Sequence, residues 1–285
     1  MKTETASPRR LTTAFAAALA AIATVAACSS APTSHDTGVP LQAGPQTTLV
    51  GDAMGVRELG VDGKNVLYLA GTTLSTLAPG ASQPTPVKLD GQPTVSTLAV
   101  GHDGTLYFVT LDGTVETVAP GATSPRPLPF DRLQRFGQLA VAHDGTVYLG
   151  DDQNDTLLKL APGAAAATPL SVTGVDAPGH LVVDADGDLF VSMAGKIVKV
   201  GKDATAAQPV AGATDHVGGL AVDTAGNLYA TDVKTNTVSR LPAGGGDWTP
   251  LPFSGLQSPT AITVDGDGNV YVVNQGRQVV KLAAK

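Results

Sequence analysis

Six positions spaced about forty residues apart carry most of the side chains here that could act on a ligand. They are Glu58, Thr97, Gln138, His180, Gly219 and Ala261, with successive gaps of 39, 41, 42, 39 and 42 residues. A carboxyl, a hydroxyl, a carboxamide and an imidazole in one ring suit a ligand that carries both donors and acceptors. The imidazole would make binding sensitive to pH near neutrality. A second polar set recurs further along the same repeat: Asp151, Asp152, Asn154, Asp155, Asp232, Lys234, Asn236, Gln275 and Arg277. Two stretches mimic a calcium loop, Asp184-Ala-Asp186-Gly-Asp188 and Asp265-Gly-Asp267-Gly-Asn269. An EF-hand needs glycine at its sixth position and glutamate at its twelfth. Here glycine falls fourth, and the twelfth residues are Gly195 and Gly276. These aspartates are therefore expected to hold turns through their short side chains. His102 and His143 occupy matching turn positions one repeat apart. A metal could use them only if they converged, and neighbouring units are expected to diverge there, so they read as exposed turn histidines.

Each of the six leading positions precedes an apolar-alternating run, a tight Asp/Gly/Asn turn and a second such run, the pattern of a β-hairpin. The clearest copy is ITVDGDGNVYVV, from Ile262 to Val273. The others are LGVDGKNVLYLA from Leu59, LAVGHDGTLYFV from Leu98, LAVAHDGTVYLG from Leu139, LVVDADGDLFVS from Leu181 and LAVDTAGNLYAT from Leu220. A period near forty with several strands per unit predicts a six-bladed β-propeller, an all-β fold. Strands a and b of each blade are the hairpin. Strand c is predicted at Thr114–Val118, Thr156–Leu160, Lys196–Val200, Thr237–Leu241 and Gln278–Leu282. Strand d is predicted at Thr85–Leu89, Pro127–Phe130, Thr168–Val172, Ala207–Val210 and Trp248–Phe253. The sixth unit ends after strand c, so Thr47–Val50 is expected to supply its outer strand and close the ring.

That architecture gives the chemistry its place. Strand a lines the central channel, so Glu58, Thr97, Gln138 and His180 are expected at its mouth, with Glu58 and His180 facing each other three blades apart. The b–c loops bring Asp152, Asn154, Asp232, Asn236 and Arg277 to the same face. No nucleophile elbow, phosphate loop or paired-zinc spacing is present, and no catalytic residue, metal or cofactor is expected.

The ends of the chain and its composition set the remaining bounds. Arg9 and Arg10 precede the short apolar stretch Leu11–Val25, and Val25-Ala26-Ala27-Cys28 follows. Residues 1–27 read as a lipoprotein signal peptide, with Cys28 as the acylated residue. Residues 28–46 are then a lipidated, Ser/Pro/Gly-rich tether, and residues 47–285 the propeller. Removing residues 1–27 leaves 15 basic residues against 24 acidic. An acidic domain without a basic cluster offers no footprint for nucleic acid. A single cysteine excludes an internal disulfide. The expected place of work is the outer face of a bacterial membrane, reached through the lipid anchor alone.

The units GLAVDTAGNLYATDVKTNTVSRL and AITVDGDGNVYVVNQGRQVVKL, with the LPFSGLQSP joint between them, resemble NHL repeats. The set resembles the extracellular propeller sensor of a bacterial receptor Ser/Thr kinase of the protein kinase D type. That resemblance implies a non-enzymatic binding or sensor-like module whose partner is an envelope protein, a glycan or a small ligand. The alternative is a propeller lyase or lactonase resembling virginiamycin B lyase or gluconolactonase. It implies a divalent metal held by Glu, Asn, Asp or His at the channel mouth.

Overall fold

The computed structural model describes residues 43–51, 55–135 and 137–285; the expected signal peptide, Cys28 and the tether as far as residue 42 lie outside the described residues. The described strands form six four-stranded antiparallel sheets. Together they make the six-bladed β-propeller. In blade 5, for example, strands a to d are Val217–Val222, Leu228–Asp232, Thr237–Leu241 and Thr249–Pro250.

Each a–b turn is built from side-chain acceptors. Asp265 Oδ1 accepts the backbone N–H groups of Asp267 at 3.0 Å and Asn269 at 2.9 Å. Its Oδ2 accepts Asn269 Nδ2 and the Tyr271 hydroxyl, both at 2.7 Å. Asp223 does the same for Ala225, Asn227 and Tyr229. Asp184 takes the N–H groups of Asp186 and Asp188. The leading carboxylates of the calcium-like stretches, Asp184 and Asp265, are thus spent on their own turns, with Gly268 supplying the left-handed backbone at φ +82°.

Strand b is buried on both faces because it lies between neighbouring blades; all five residues of Val147–Asp151, Leu189–Met193 and Val270–Asn274 are buried. Six apolar clusters fill the six inter-blade seams. Phe190 and Ile197 of blade 4 meet Leu220, Leu228 and Leu241 of blade 5. Tyr271, Val273 and Val279 of blade 6 meet Leu59, Leu69 and Leu77 of blade 1.

Strand c stands where its sequence pattern puts it, at Thr156–Leu160, Lys196–Val200, Thr237–Leu241 and Gln278–Leu282, and one residue shorter at Val115–Val118. Strand d is a correction. The expected four- to six-residue strands are two-residue pairings: Thr85–Pro86, Arg126–Pro127, Thr168–Pro169, Gln208–Pro209 and Thr249–Pro250. Each ends on a proline, which has no N–H to give the ladder. One further bond follows each proline, such as Val87 N to Leu74 O at 2.9 Å, and then the chain leaves the sheet.

Ring closure is as expected. Gln46–Val50 pairs antiparallel with Gln278–Leu282, in the register Gln46↔Leu282, Thr47↔Lys281, Thr48↔Val280 and Val50↔Val279, with a bulge between Thr48 and Val50. The Gln46 carboxamide adds a reciprocal pair with the Ser254 backbone, at 2.9 and 2.8 Å.

Candidate functional site at the channel mouth

The six a strands surround a cavity of about 340 Å³. Its wall includes Glu58, Gln138, His180, Gly219 and Ala261 at one end, and Asp62, His102, His143, Asp184, Asp223 and Asp265 at the other. The mouth is thus the end where strand a begins. Blades 5 and 6 contribute no side-chain donor there, and Gly219 is sterically required: a Cβ would lie 2.4 Å from Thr260 O.

Three of the expected mouth residues form a chain of hydrogen bonds. Thr97, buried at 2% exposure, donates its hydroxyl to Gln138 Oε1 at 2.5 Å. Gln138 Nε2 then donates to Glu58 Oε1 at 2.8 Å. The second bond crosses from blade 3 to blade 1 and passes over blade 2. Glu58 and His180 both line this end of the cavity, three blades apart, and Gln138 is the hydrogen-bond partner of the Glu58 carboxyl. Water reaches Glu58 through the channel, yet protein surrounds its carboxyl, and burial raises its pKa to about 7 against the lowering pull of the Gln138 bond. His180 lines the same cavity, its backbone fixed by the 2.7 Å bond from its N–H to Ser192 Oγ and by Ser192 N to its carbonyl at 2.8 Å. Burial lowers the imidazole pKa, which favours the neutral ring.

The loop residues have other duties. Asp151, at the end of strand b, accepts the N–H groups of Gln153 and Asn154 and the Asn154 carboxamide, so Asn154 serves the loop. Asp232 holds its own loop through Lys234 N and Thr235 N. Asn236 accepts Ser258 N at 2.6 Å. Asp155, Lys234, Gln275 and Arg277 are exposed. None of these residues lines the cavity wall. Asp152 Oδ1 is buried, with no hydrogen-bond partner among the described residues. Burial raises its pKa, offset in part by the charge of Arg135. At the opposite rim, His102 and His143 are exposed as expected, but they do not diverge: their ring centres are 5.3 Å apart.

The mouth does not fit a divalent cation. It offers one carboxyl, and the group aimed at that carboxyl is the N–H of Gln138, a donor where a cation would need acceptors. The Thr97 hydroxyl and the Gln138 oxygen are already spent on each other.

No protein-family model matches this chain, and no curated protein sequence does. Solved structures do. A gluconolactonase from Xanthomonas campestris superposes with a TM-score of 0.69 at 15% identity, over 84% of this chain and 89% of its own. Virginiamycin B lyase from Staphylococcus aureus gives 0.63 at 12%, over 85% and 99%. An auxiliary nutrient binding protein from Bacteroides ovatus gives 0.67 at 14%, over 84% and 76%. At these identities the likeness is one of fold. It corrects the expectation that the chain is not an enzyme. The same ring of blades is the framework of a lactonase and of a lyase, so the lack of a nucleophile motif was no ground for excluding catalysis.

Proposed function

We propose that this propeller is an acid–base enzyme of the lactonase type, working at the channel mouth on a small, polar cyclic ester. The observation that carries this reading is the convergence of Glu58, oriented by Gln138, with His180 in one channel. The names of the gluconolactonase and virginiamycin B lyase structures support it, since lactone hydrolysis and elimination both need a group that takes a proton and returns it to a departing oxygen. A carboxyl titrating near 7 suits both halves of that task. In the proposed cycle, Glu58 as carboxylate takes a proton from water while the water oxygen bonds to the ring carbonyl carbon. The ring C–O bond then breaks, and the same carboxyl returns the proton to the departing alkoxide, which leaves a hydroxy acid. The neutral N–H of His180 donates to the carbonyl oxygen as negative charge develops on it.

The repeat type is read as NHL on the strength of the last two units. The place of work is read as the outer face of a bacterial membrane, on the strength of Arg9, Arg10 and the Val25–Cys28 run.

The test is acid release from a panel of five- and six-membered lactones, followed by pH-stat titration with added chelator. Turnover is expected, with a loss of about a hundredfold or more in Glu58→Gln, within the span usual for general acid–base groups. Absence of turnover across the panel, or full activity in Glu58→Gln, would sink the reading.

A further inference from the structure

The rim opposite the mouth carries two imidazoles that the proposed chemistry does not use. In blades 1, 4, 5 and 6 the residue after the last valine of strand a is an aspartate: Asp62, Asp184, Asp223 or Asp265. Each takes two backbone N–H groups of its turn. Blades 2 and 3 have Gly101 and Ala142 there. They hold the turn from two residues further on, where Asp103 accepts Thr105 N and Asp144 accepts Thr146 N, both at 2.9 Å. The residue in between, His102 or His143, is left with no side-chain task in the turn and lies exposed at the rim. The two departures from the repeat fall in adjacent blades, and both release a histidine.

The released rings are close. Their centres are 5.3 Å apart and their planes tilted by 56°. With a metal–nitrogen distance of about 2.0–2.1 Å and about 1.2 Å from nitrogen to ring centre, a tetrahedral ion holds two imidazole centres about 5.2 Å apart. Gly63 of blade 1 makes room for one ring: a Cβ there would lie 2.4 Å from His102 Cε1 and 2.5 Å from Nε2. Gly63 N also donates to His102 O at 2.8 Å, which pins the backbone beneath that ring.

We propose that His102 and His143 form a two-imidazole site for a divalent transition-metal ion, with Zn²⁺ as the reference ion, at the end of the channel opposite Glu58. Imidazole ligands suit zinc, copper and nickel, whereas magnesium and calcium require oxygen. Among the described residues no group of three or more His, Cys, Asp or Glu converges on one point, so water completes the coordination sphere. The bound ion would tie the turns of blades 2 and 3. Asn65 already ties blades 6 and 1 at this rim, through Asp267 Oδ2 and Gly266 N, both at 2.9 Å. The site stands apart from the lactonase reading and survives its failure.

The experiment is isothermal titration of the untagged full-length chain with Zn²⁺, with Mg²⁺ and Ca²⁺ run in parallel. One Zn²⁺ per chain is expected, with no comparable heat from the other two ions. His102→Asn and His143→Asn should each weaken Zn²⁺ binding at least about tenfold. His216→Asn, which removes an imidazole paired with Asp215, should leave it unchanged. Zinc-edge X-ray absorption on the wild-type chain counts the ligands without relying on any variant, and two imidazoles are expected. Failure of the wild type to take up Zn²⁺, wild-type affinity in either rim variant, or an imidazole count other than two overturns the proposal.

Discussion

Glu58 makes the channel mouth a compromise between chemistry and stability. Its folded pKa of about 7 lies above the ordinary 4.5, so folding disfavours the ionised form. Its contribution to stability is therefore most favourable below pH 4.5 and declines as pH rises through 7, where the carboxylate that the proposed reaction needs is forming. Glu58→Gln should remove that decline. Thermal unfolding of both proteins from pH 5 to 8 should show the variant gaining relative to wild type by on the order of 1–3 kcal/mol at the alkaline end. A parallel pair of curves would show that Glu58 is not strained. Gln138 acts in the opposite sense, since its bond lowers the Glu58 pKa. Gln138→Ala should move the Glu58 midpoint upward, measured by carboxyl-carbon NMR titration or by the pH–rate profile. The ring of leading positions was legible in the sequence because the repeat marks it. The partnership was not, because Gln138 reaches past blade 2 and no spacing rule says how far a carboxamide crosses a channel. The meeting of His102 with His143 was hidden in a similar way, since it depends on how tightly the turns close around the rim.

At the scale of the strand and the turn, the aspartate at the head of the a–b loop in blades 1, 4, 5 and 6 does the work that a calcium-loop reading would give to an ion. Asp265 satisfies four donors, and its removal leaves several of them without a partner. Asp265→Ala should cost about 1–3 kcal/mol or more in denaturant unfolding. Asp267→Ala loses only an exposed bond to Asn65 and should cost less than about 1 kcal/mol. Added Ca²⁺ should leave the wild-type unfolding curve unchanged if carboxylates alone hold these turns. Equal losses in the two variants would instead point to a shared ligand. Hairpins and strand c were legible because alternation and β-branched residues mark them. Strand d was overextended because its apolar residues after the proline, such as Val87, Leu128 and Leu170, look like strand but pack beneath the loops as satellites of the inter-blade clusters.

For the molecule as a whole, the ring is held shut by the pairing of its two ends. Removing residues 1–42 should leave the melting temperature almost unchanged. Removing residues 1–50 takes away the ladder on Gln278–Leu282, at about 0.5–1.5 kcal/mol per hydrogen bond, together with the packing of Leu49 and Val50. The longer truncation should melt earlier and self-associate in sedimentation, because it exposes a sheet edge. Equal melting of the two truncations would show that closure is made elsewhere. Cys28→Ala should release the protein from membranes in cell fractionation; membrane retention at unchanged mass would rule out acylation at that residue. The closing strand also sets a schedule. Gln46 and its partner Leu282 lie 236 residues apart in the sequence, with five whole blades between them (282 − 46). The first strand must therefore wait, unpaired, while the blades between are made, and the ring cannot lock until Gln278–Leu282 has emerged. In pulse-labelled hydrogen exchange during refolding, the amide of Thr47, which faces Lys281 across the closing ladder, should be among the last to gain protection. Early protection at that amide would contradict the schedule.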